Sequence, residues 1–246
     1  MKPEQKSPPK IKPGAYKIKS FELKNVEFRY STGGAVLQDV SLKLPMNSII
    51  HVTGPTGHGQ STLLKVLSLL AEPTAGSIIV NGTVASEMSF EEFLPWRLEI
   101  GYTFENGGLL ANRTLEDNLL LPHLYHNLSD AEAVRSEIRE IAKRFKFEKL
   151  LDRRPALVSG GLRKLVTILR PVLLRPSFLI MDDPFSGLDP DTAKMLEKLI
   201  FELREKSKIE TIYFTSRDEM WPSRLGASSM WVEDGKISLR ETKVAG

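Results

Sequence analysis

The clearest chemistry in this 246-residue chain lies in the run Gly54-Pro55-Thr56-Gly57-His58-Gly59-Gln60-Ser61-Thr62. Before it stands a compact apolar stretch, Ser48 to Val52; after it, Leu63, Leu64, Val66, Leu67, Leu69 and Leu70 recur at helical spacing. The order is therefore strand, glycine-rich loop, helix. Such a loop aims successive backbone N–H groups at one point in front of a helix N-terminus, whose dipole favours an anion. The chemistry this suits is phosphate binding. Gly54, Gly59 and Ser61 fit the spacing glycine, four residues, glycine, lysine, then serine or threonine, but Gln60 stands where the lysine belongs. Taken alone, the pattern also fits a plain turn.

The elements around the loop narrow the choice. From Phe21 to Val52 short apolar and polar runs alternate, as in Phe21-Glu22-Leu23 and Val26-Glu27-Phe28, which predicts an antiparallel β segment at the start of the fold. Further on, the apolar strand Phe178-Leu179-Ile180-Met181 runs into Asp182-Asp183-Pro184. A helix carrying Met195, Leu196, Leu199, Ile200 and Leu203 follows, then a strand from Thr211 to Phe214. Strands alternating with helices imply a mainly parallel sheet covered by helices. Between these parts, Thr114 to about Leu173 reads as mostly helical, with turn signals at Leu128-Ser129-Asp130 and Ser159-Gly160-Gly161. The expected fold is α/β: a mainly parallel sheet with an antiparallel β subdomain and an inserted α-helical subdomain, about residues 106–173. Pro171 falls inside the last of these helices and predicts a kink or break near Ile168 to Val172.

Composition sets outer limits. With 41% hydrophobic and 26% charged residues the chain is globular, and without cysteine it has neither disulfides nor thiolate zinc sites. No apolar run approaches the roughly 18 to 20 residues that span a bilayer. The formal charge is +3, but residues 1–20, with six lysines and Glu4, contribute +5 and leave −2 for the rest. A nearly neutral folded part gives no ground for a nucleic-acid groove. The first twenty residues, rich in lysine and holding four prolines, read as a solvated, disordered tail.

Further motifs stand in a telling order. Tyr30 precedes Gly54 by 24 residues; Val158-Ser159-Gly160-Gly161-Leu162, Phe178 to Asp183 and Ser186-Gly187-Leu188-Asp189 follow. From about Phe21 to Leu239 the sequence resembles the nucleotide-binding subunit of ATP-binding-cassette (ABC) transporters, a P-loop NTPase fold. The resemblance implies that Tyr30 stacks on adenine, that backbone N–H groups of Gly57 to Thr62 hold phosphates, and that Ser61 and Asp182 bind Mg²⁺. It implies ATP and Mg²⁺ as cofactors and a head-to-tail dimer. In such a dimer Ser159, Gly160 and Gly161, the signature, and Asp189, in the D-loop, serve the partner's nucleotide.

Four catalytic positions of that family are altered here. The P-loop lysine is Gln60, the Q-loop glutamine after Gly101-Tyr102-Thr103-Phe104 is Glu105, the Walker B glutamate is Asp183, and the switch histidine after Phe214-Thr215 is Ser216. Gln60 has lost a charge and Asp183 is a methylene shorter than glutamate. Ser216 cannot carry the imidazole's charge. Together they predict slow or absent hydrolysis in the chain's own site. His58, inside the loop, is either a partial substitute for the lost charge or a solvent-facing residue.

The resemblance implies a separate integral-membrane permease as partner, a location on the cytoplasmic face of the inner membrane, and dimerisation with itself or with a competent homologue. The segment Gly107 to Asn118 looks like that of Mla-type lipid-transport ATPases. The alternative is a catalytically inactive regulatory or scaffolding ABC domain that moves no solute.

Overall fold

A computed structural model describes residues 16–105, 107–206 and 208–240. The first fifteen residues of the expected tail lie outside these, as does residue 106, where the expected helical subdomain begins. What is described of the first twenty residues is docked: Ile18 is buried, its N–H donates to the Ser177 hydroxyl at 2.9 Å, and Lys17 pairs with Glu210.

The alternating residues of the N-terminal third form β1 (Phe21–Arg29) and β2 (Ala35–Lys43), paired antiparallel from Glu22 opposite Lys43 to Arg29 opposite Ala35. With β4 (Ala75–Val80) and β5 (Thr83–Val84) they make an antiparallel sheet in the order β2-β1-β4-β5. In β1 the residues Phe21, Leu23, Val26 and Phe28 are buried, which is the face that a half-solvated strand turns to its core.

The second sheet has the order β10-β9-β3-β8-β7-β6, where β3 is Ile49–Thr53, β6 Ile100–Thr103, β7 Phe178–Met181, β8 Thr211–Phe214, β9 Ser228–Glu233 and β10 Lys236–Arg240. Only the β9–β10 pair is antiparallel. Every residue of β7 and β8 is buried, as continuous apolar runs require when both faces of a parallel sheet are covered. One face, through Ile50, Val52, Ile180 and Tyr213, shares a core with the antiparallel sheet and α1 (Gln60–Leu67). The other, through Ile49, Leu179, Met181 and Phe214, shares a core with the helices below.

After β5 comes α2 (Phe90–Arg97). Beyond β6 stand three helices: α3 (Leu115–Tyr125), α4 (Ala131–Arg144) and α5 (Gly160–Leu173). Each starts on a side-chain cap: Thr114 with Asp117, Asp130, and Ser159. The turn residues noted in the sequence are thus N-caps. After β7, Asp189 caps α6 (Pro190–Glu205), and α7 (Met220–Arg224) follows β8.

Of the kink or break expected near Ile168 to Val172, no break falls within those residues. Helix α5 runs on through Pro171, which is buried, and ends at Leu173 with Leu174 as its C-cap; the proline leaves the Thr167 carbonyl, one turn back, without its helical bond. Among the described residues no helix is long and apolar enough to cross a membrane.

Candidate functional site

Strands β3, β7 and β8 are adjacent and parallel, so their C-terminal ends open on one edge of the sheet. That edge is where open α/β sheets bind ligands. Three segments leave from it: the loop Gly54–Gly59 after β3, Asp182-Asp183 after β7 and Thr215 to Glu219 after β8. They enclose a cavity of about 430 Å³, within the range of small-ligand sites.

The loop is bent by its glycines. Gly54, Gly57 and Gly59 have φ of +147°, +85° and +102°. At Gly54 a Cβ would stand 2.0 Å from the Val232 carbonyl oxygen, so only glycine lets the chain turn so close to β9. Gln60 begins α1, and its Nε2 donates to the Pro55 carbonyl at 2.8 Å. This amide closes the loop on itself where the phosphate-loop spacing asks for a cation.

Ser61 and Asp182 meet in the cavity. The Ser61 hydroxyl donates to Asp182 Oδ1 at 3.1 Å, and Thr215 Oγ1 donates to the same oxygen at 2.7 Å. Thr215 Oγ1 also accepts from the Asp183 N–H at 2.9 Å, so one hydroxyl ties the Asp182 carboxylate to the Asp183 backbone. Among the described residues no cluster of three or more histidines and acids could hold a metal unaided. One hydroxyl and one carboxylate fit a Mg²⁺ that keeps its other positions for phosphate oxygens and water.

Asp183 has a φ of +45°, and burial pushes its carboxyl above the usual range; the cations Lys164 and Arg217 work against that rise. Its Oδ2 is buried without a hydrogen bond, 3.6 Å from Arg217 Nε. Glu105 Oε1 accepts from Arg217 Nη2 at 2.8 Å. The Ser216 hydroxyl is turned to its own loop, donating to the Asp218 carbonyl at 3.0 Å and accepting from the Asp218 N–H at 3.1 Å. Behind them His51 is buried in β3, which lowers its pKa, and its Nε2 lies 3.3 Å from the Ser216 carbonyl.

The structure thus brings Gly54, Gly57, Gln60, Ser61, Glu105, Asp182, Asp183 and Ser216 around one cavity. Thr62 lies just behind, its hydroxyl 3.0 Å from that of Tyr30, whose ring is half exposed and stands edge-on to Phe28. His58 points elsewhere: its Nδ1 accepts from the Asp234 N–H at 3.3 Å, in the β9–β10 turn, and it does not line the cavity. Sequence reasoning did not assign Thr215, Arg217 and Lys164. Lys164, on α5, donates to the carbonyls of Glu105 at 2.6 Å, Asp182 at 3.2 Å and Phe104 at 3.4 Å. Burial lowers its pKa, against the pull of Asp183, Asp182 and Glu105.

Residues 37–186 match the ABC transporter family. The chain belongs to that family. It is 37% identical over 186 residues to the lipoprotein-releasing system ATP-binding protein LolD of Buchnera aphidicola, covering 75% of this chain and 78% of that protein. It is 30% identical to a probable sulfate/thiosulfate import ATP-binding protein CysA of Chlorella vulgaris, over 89% of each. Its fold superposes on the ATP-binding cassette MJ0796, solved as a dimer in a post-hydrolysis state with ADP and Pi. The TM-score is 0.80 and the identity 26%, over 92% of this chain and 99% of that one.

In this ABC cassette the Ser159-Gly160-Gly161 segment is not part of the cavity described above. Ser159 caps α5 by accepting from the Leu162 N–H at 3.2 Å, and a Cβ on Gly161 would meet the Gly187 carbonyl oxygen at 2.9 Å. Signature and D-loop are therefore packed on each other, with Asp189 fixed just beyond by the N–H groups of Asp191 and Thr192.

Proposed function

We propose that this chain is the ATP-binding subunit of a transporter whose membrane-spanning permease is a separate polypeptide, and that it works as a peripheral protein on the cytoplasmic face. The observation that carries this reading is the cavity at the C-terminal edge of β3, β7 and β8, where a glycine loop faces the Ser61–Asp182 pair at 3.1 Å. Backbone N–H groups of Gly57 to Thr62 hold the phosphates, Ser61 and Asp182 hold Mg²⁺, and Tyr30 takes the base. The bound Mg²⁺ supplies positive charge to phosphate oxygens. Residues 21–246 form the nucleotide-binding domain, with its helical subdomain at about 106–173.

In this reading the chain's own site binds ATP and hydrolyses it slowly. Gln60 spends its amide on Pro55 and brings no charge; Asp183 is short and tied to Arg217; the Ser216 hydroxyl is engaged by its own turn. The signature lies apart from the cavity, so Ser159, Gly160 and Gly161 serve the nucleotide of a second cassette. That cassette is either another copy of this chain or a competent homologue. MJ0796, solved as a dimer, supports the assembly. Lipid or lipid-linked cargo is the reading we favour for the transporter, on the Gly107 to Asn118 segment and the likeness to a lipoprotein-releasing system protein.

The test is phosphate release by the purified chain, alone and mixed with the permease and cassette encoded beside it. We expect little turnover alone and a rise in the mixture. Robust turnover by the lone chain, abolished by Asp183→Asn, would overturn the impaired-site reading.

A further inference from the structure

The cavity is acidic. Among the described residues that line it are four carboxylates, Glu105, Asp182, Asp183 and Glu219, and a single cation, Arg217. A polyphosphate entering such a cavity meets like charge, and Gln60 offers nothing to offset it.

Two cations stand near the carboxylates, and they differ in freedom. Lys164 is immobilised by the three carbonyls of Phe104, Glu105 and Asp182, and it does not line the cavity. Arg217 is held by side chains alone: Nη2 to Glu105 at 2.8 Å and Nε to Asp183 at 3.6 Å. Its side chain is 82% exposed. Water reaches the guanidinium from its open side and weakens both pairs, although the Asp183 carboxylate itself is buried. The backbone beneath is, by contrast, fixed: Ser216 and Asp218 bond one another, and the Met220 N–H donates to Asp218 Oδ1 at 2.9 Å. Arg217 is thus an exposed guanidinium on a rigid turn, resting on two acids that line the same cavity as the glycine loop.

We propose that Arg217 is the cation that binds the terminal phosphate of a nucleoside triphosphate in this site, leaving Glu105 and Asp183 to do so. It stands in for the charge that is missing at Gln60. A guanidinium suits this exchange because its planar fork pairs with carboxylate and phosphate oxygens in the same bidentate way. Until a triphosphate enters, the same side chain neutralises the acids that would repel it. This inference rests on the nucleotide-site reading above and adds to it which residue distinguishes triphosphate from diphosphate.

The experiment is calorimetric titration of Mg-ATP and Mg-ADP into the purified chain, Arg217→Gln and Arg217→Lys, with thermal melts as the folding control. Arg217 is exposed, so the melts should coincide. The expected result is about a tenfold loss of ATP affinity in Arg217→Gln with ADP affinity changed less than about twofold, and ATP affinity only partly restored in Arg217→Lys, which keeps the charge but not the bidentate fork. Equal loss of both nucleotides overturns the inference, because Arg217 would then not read the terminal phosphate. Unchanged or tighter ATP binding also overturns it, since Arg217 would then serve the carboxylates only. If the unaltered chain binds neither nucleotide, the nucleotide-site reading itself fails, and this inference with it.

Discussion

Restoring a lysine at position 60 is the sharpest perturbation of the site. The Gln60 amide reaches the Pro55 carbonyl at 2.8 Å, and its Nε2 lies 3.0 Å from where a Cβ on Gly54 would stand. It therefore crosses the mouth of the glycine loop. A lysine in Gln60→Lys reaches the same carbonyl and adds a charge to a cavity lined by four carboxylates and one cation. A neutral hydrogen bond contributes about 1 kcal/mol and a charged one about 1.5 to 3, so the substitution should strengthen phosphate binding by about 0.5 to 2 kcal/mol. That is about 2- to 30-fold in the Kd for Mg-ATP. Hydrolysis should stay low, because Asp183 and Ser216 are unchanged and the loss of one group acting on a transition state costs about 100- to 1000-fold. Titration calorimetry and phosphate release measure the two effects separately. If Gln60→Lys leaves ATP binding unchanged or weaker, the charge argument fails. If it alone restores fast turnover, then the shortened acid and the missing imidazole do not limit the reaction.

Three other outcomes follow from the geometry. Gly54→Ala puts a methyl group 2.0 Å from the Val232 carbonyl oxygen at a φ of +147°, so the loop must move; backbone strain of about 1 to 3 kcal/mol should lower the melting temperature, and ATP binding should fall at least about tenfold. Asn118, fully buried, accepts from the Leu110 N–H at 2.7 Å and donates to the carbonyls of Leu110 and Thr114; Asn118→Ala should cost about 1 to 3 kcal/mol in urea denaturation. His123 is buried in α3, chiefly by which its pKa lies below 6.5 in the fold, with Glu137 and Arg175 acting on it in opposite senses. The unfolded chain then binds the extra proton, so stability is complete above about pH 6.5 and falls as pH drops toward the lowered value, by up to about 1.4 kcal/mol per pH unit. A pH series of melts should show this slope, and His123→Gln should reduce it, leaving the part that comes from His51 and His126, whose burial also lowers their pKa values.

What could be read from the sequence was local. The loop at Gly54 to Thr62, the acids that end β7 and the caps Asp130 and Ser159 are all written in runs of a few residues, and in the structure they stand where those runs place them. Pro171 shows the limit of such reading. Its missing N–H costs one bond to the carbonyl a turn back, but whether the helix then breaks depends on packing that lies elsewhere in the chain; here Pro171 is buried and α5 runs on to Leu173. The site's supporting contacts were not legible for a different reason. Thr215 reaches Asp182 across 33 residues, Lys164 reaches Glu105 across 59, and Arg217 reaches Glu105 across 112. The sheet order β3-β8-β7-β6 brings Thr215 and Arg217 to Asp182 and Glu105, and the packing of α5 against β6 and β7 adds Lys164.

The charge illustrates why that distance matters for function. Summed over the chain it is +3, and without the first twenty residues it is −2; neither figure says anything about what a nucleotide meets. The relevant count is taken inside one cavity, where strand order gathers acids from positions 105, 182, 183 and 219 and opposes them with Arg217. Losing a lysine from the glycine loop is then not an isolated defect in a neutral site. It removes a cation from a place already in deficit, which makes the remaining cation decisive and gives an Arg217 substitution more leverage than its exposed position suggests. Restoring the lysine should accordingly weaken the dependence on Arg217: the loss of ATP affinity on Arg217→Gln should be smaller in the Gln60→Lys background than in the unaltered chain. A double-mutant cycle measures that difference, and strictly additive effects would mean that the two positions do not share one phosphate.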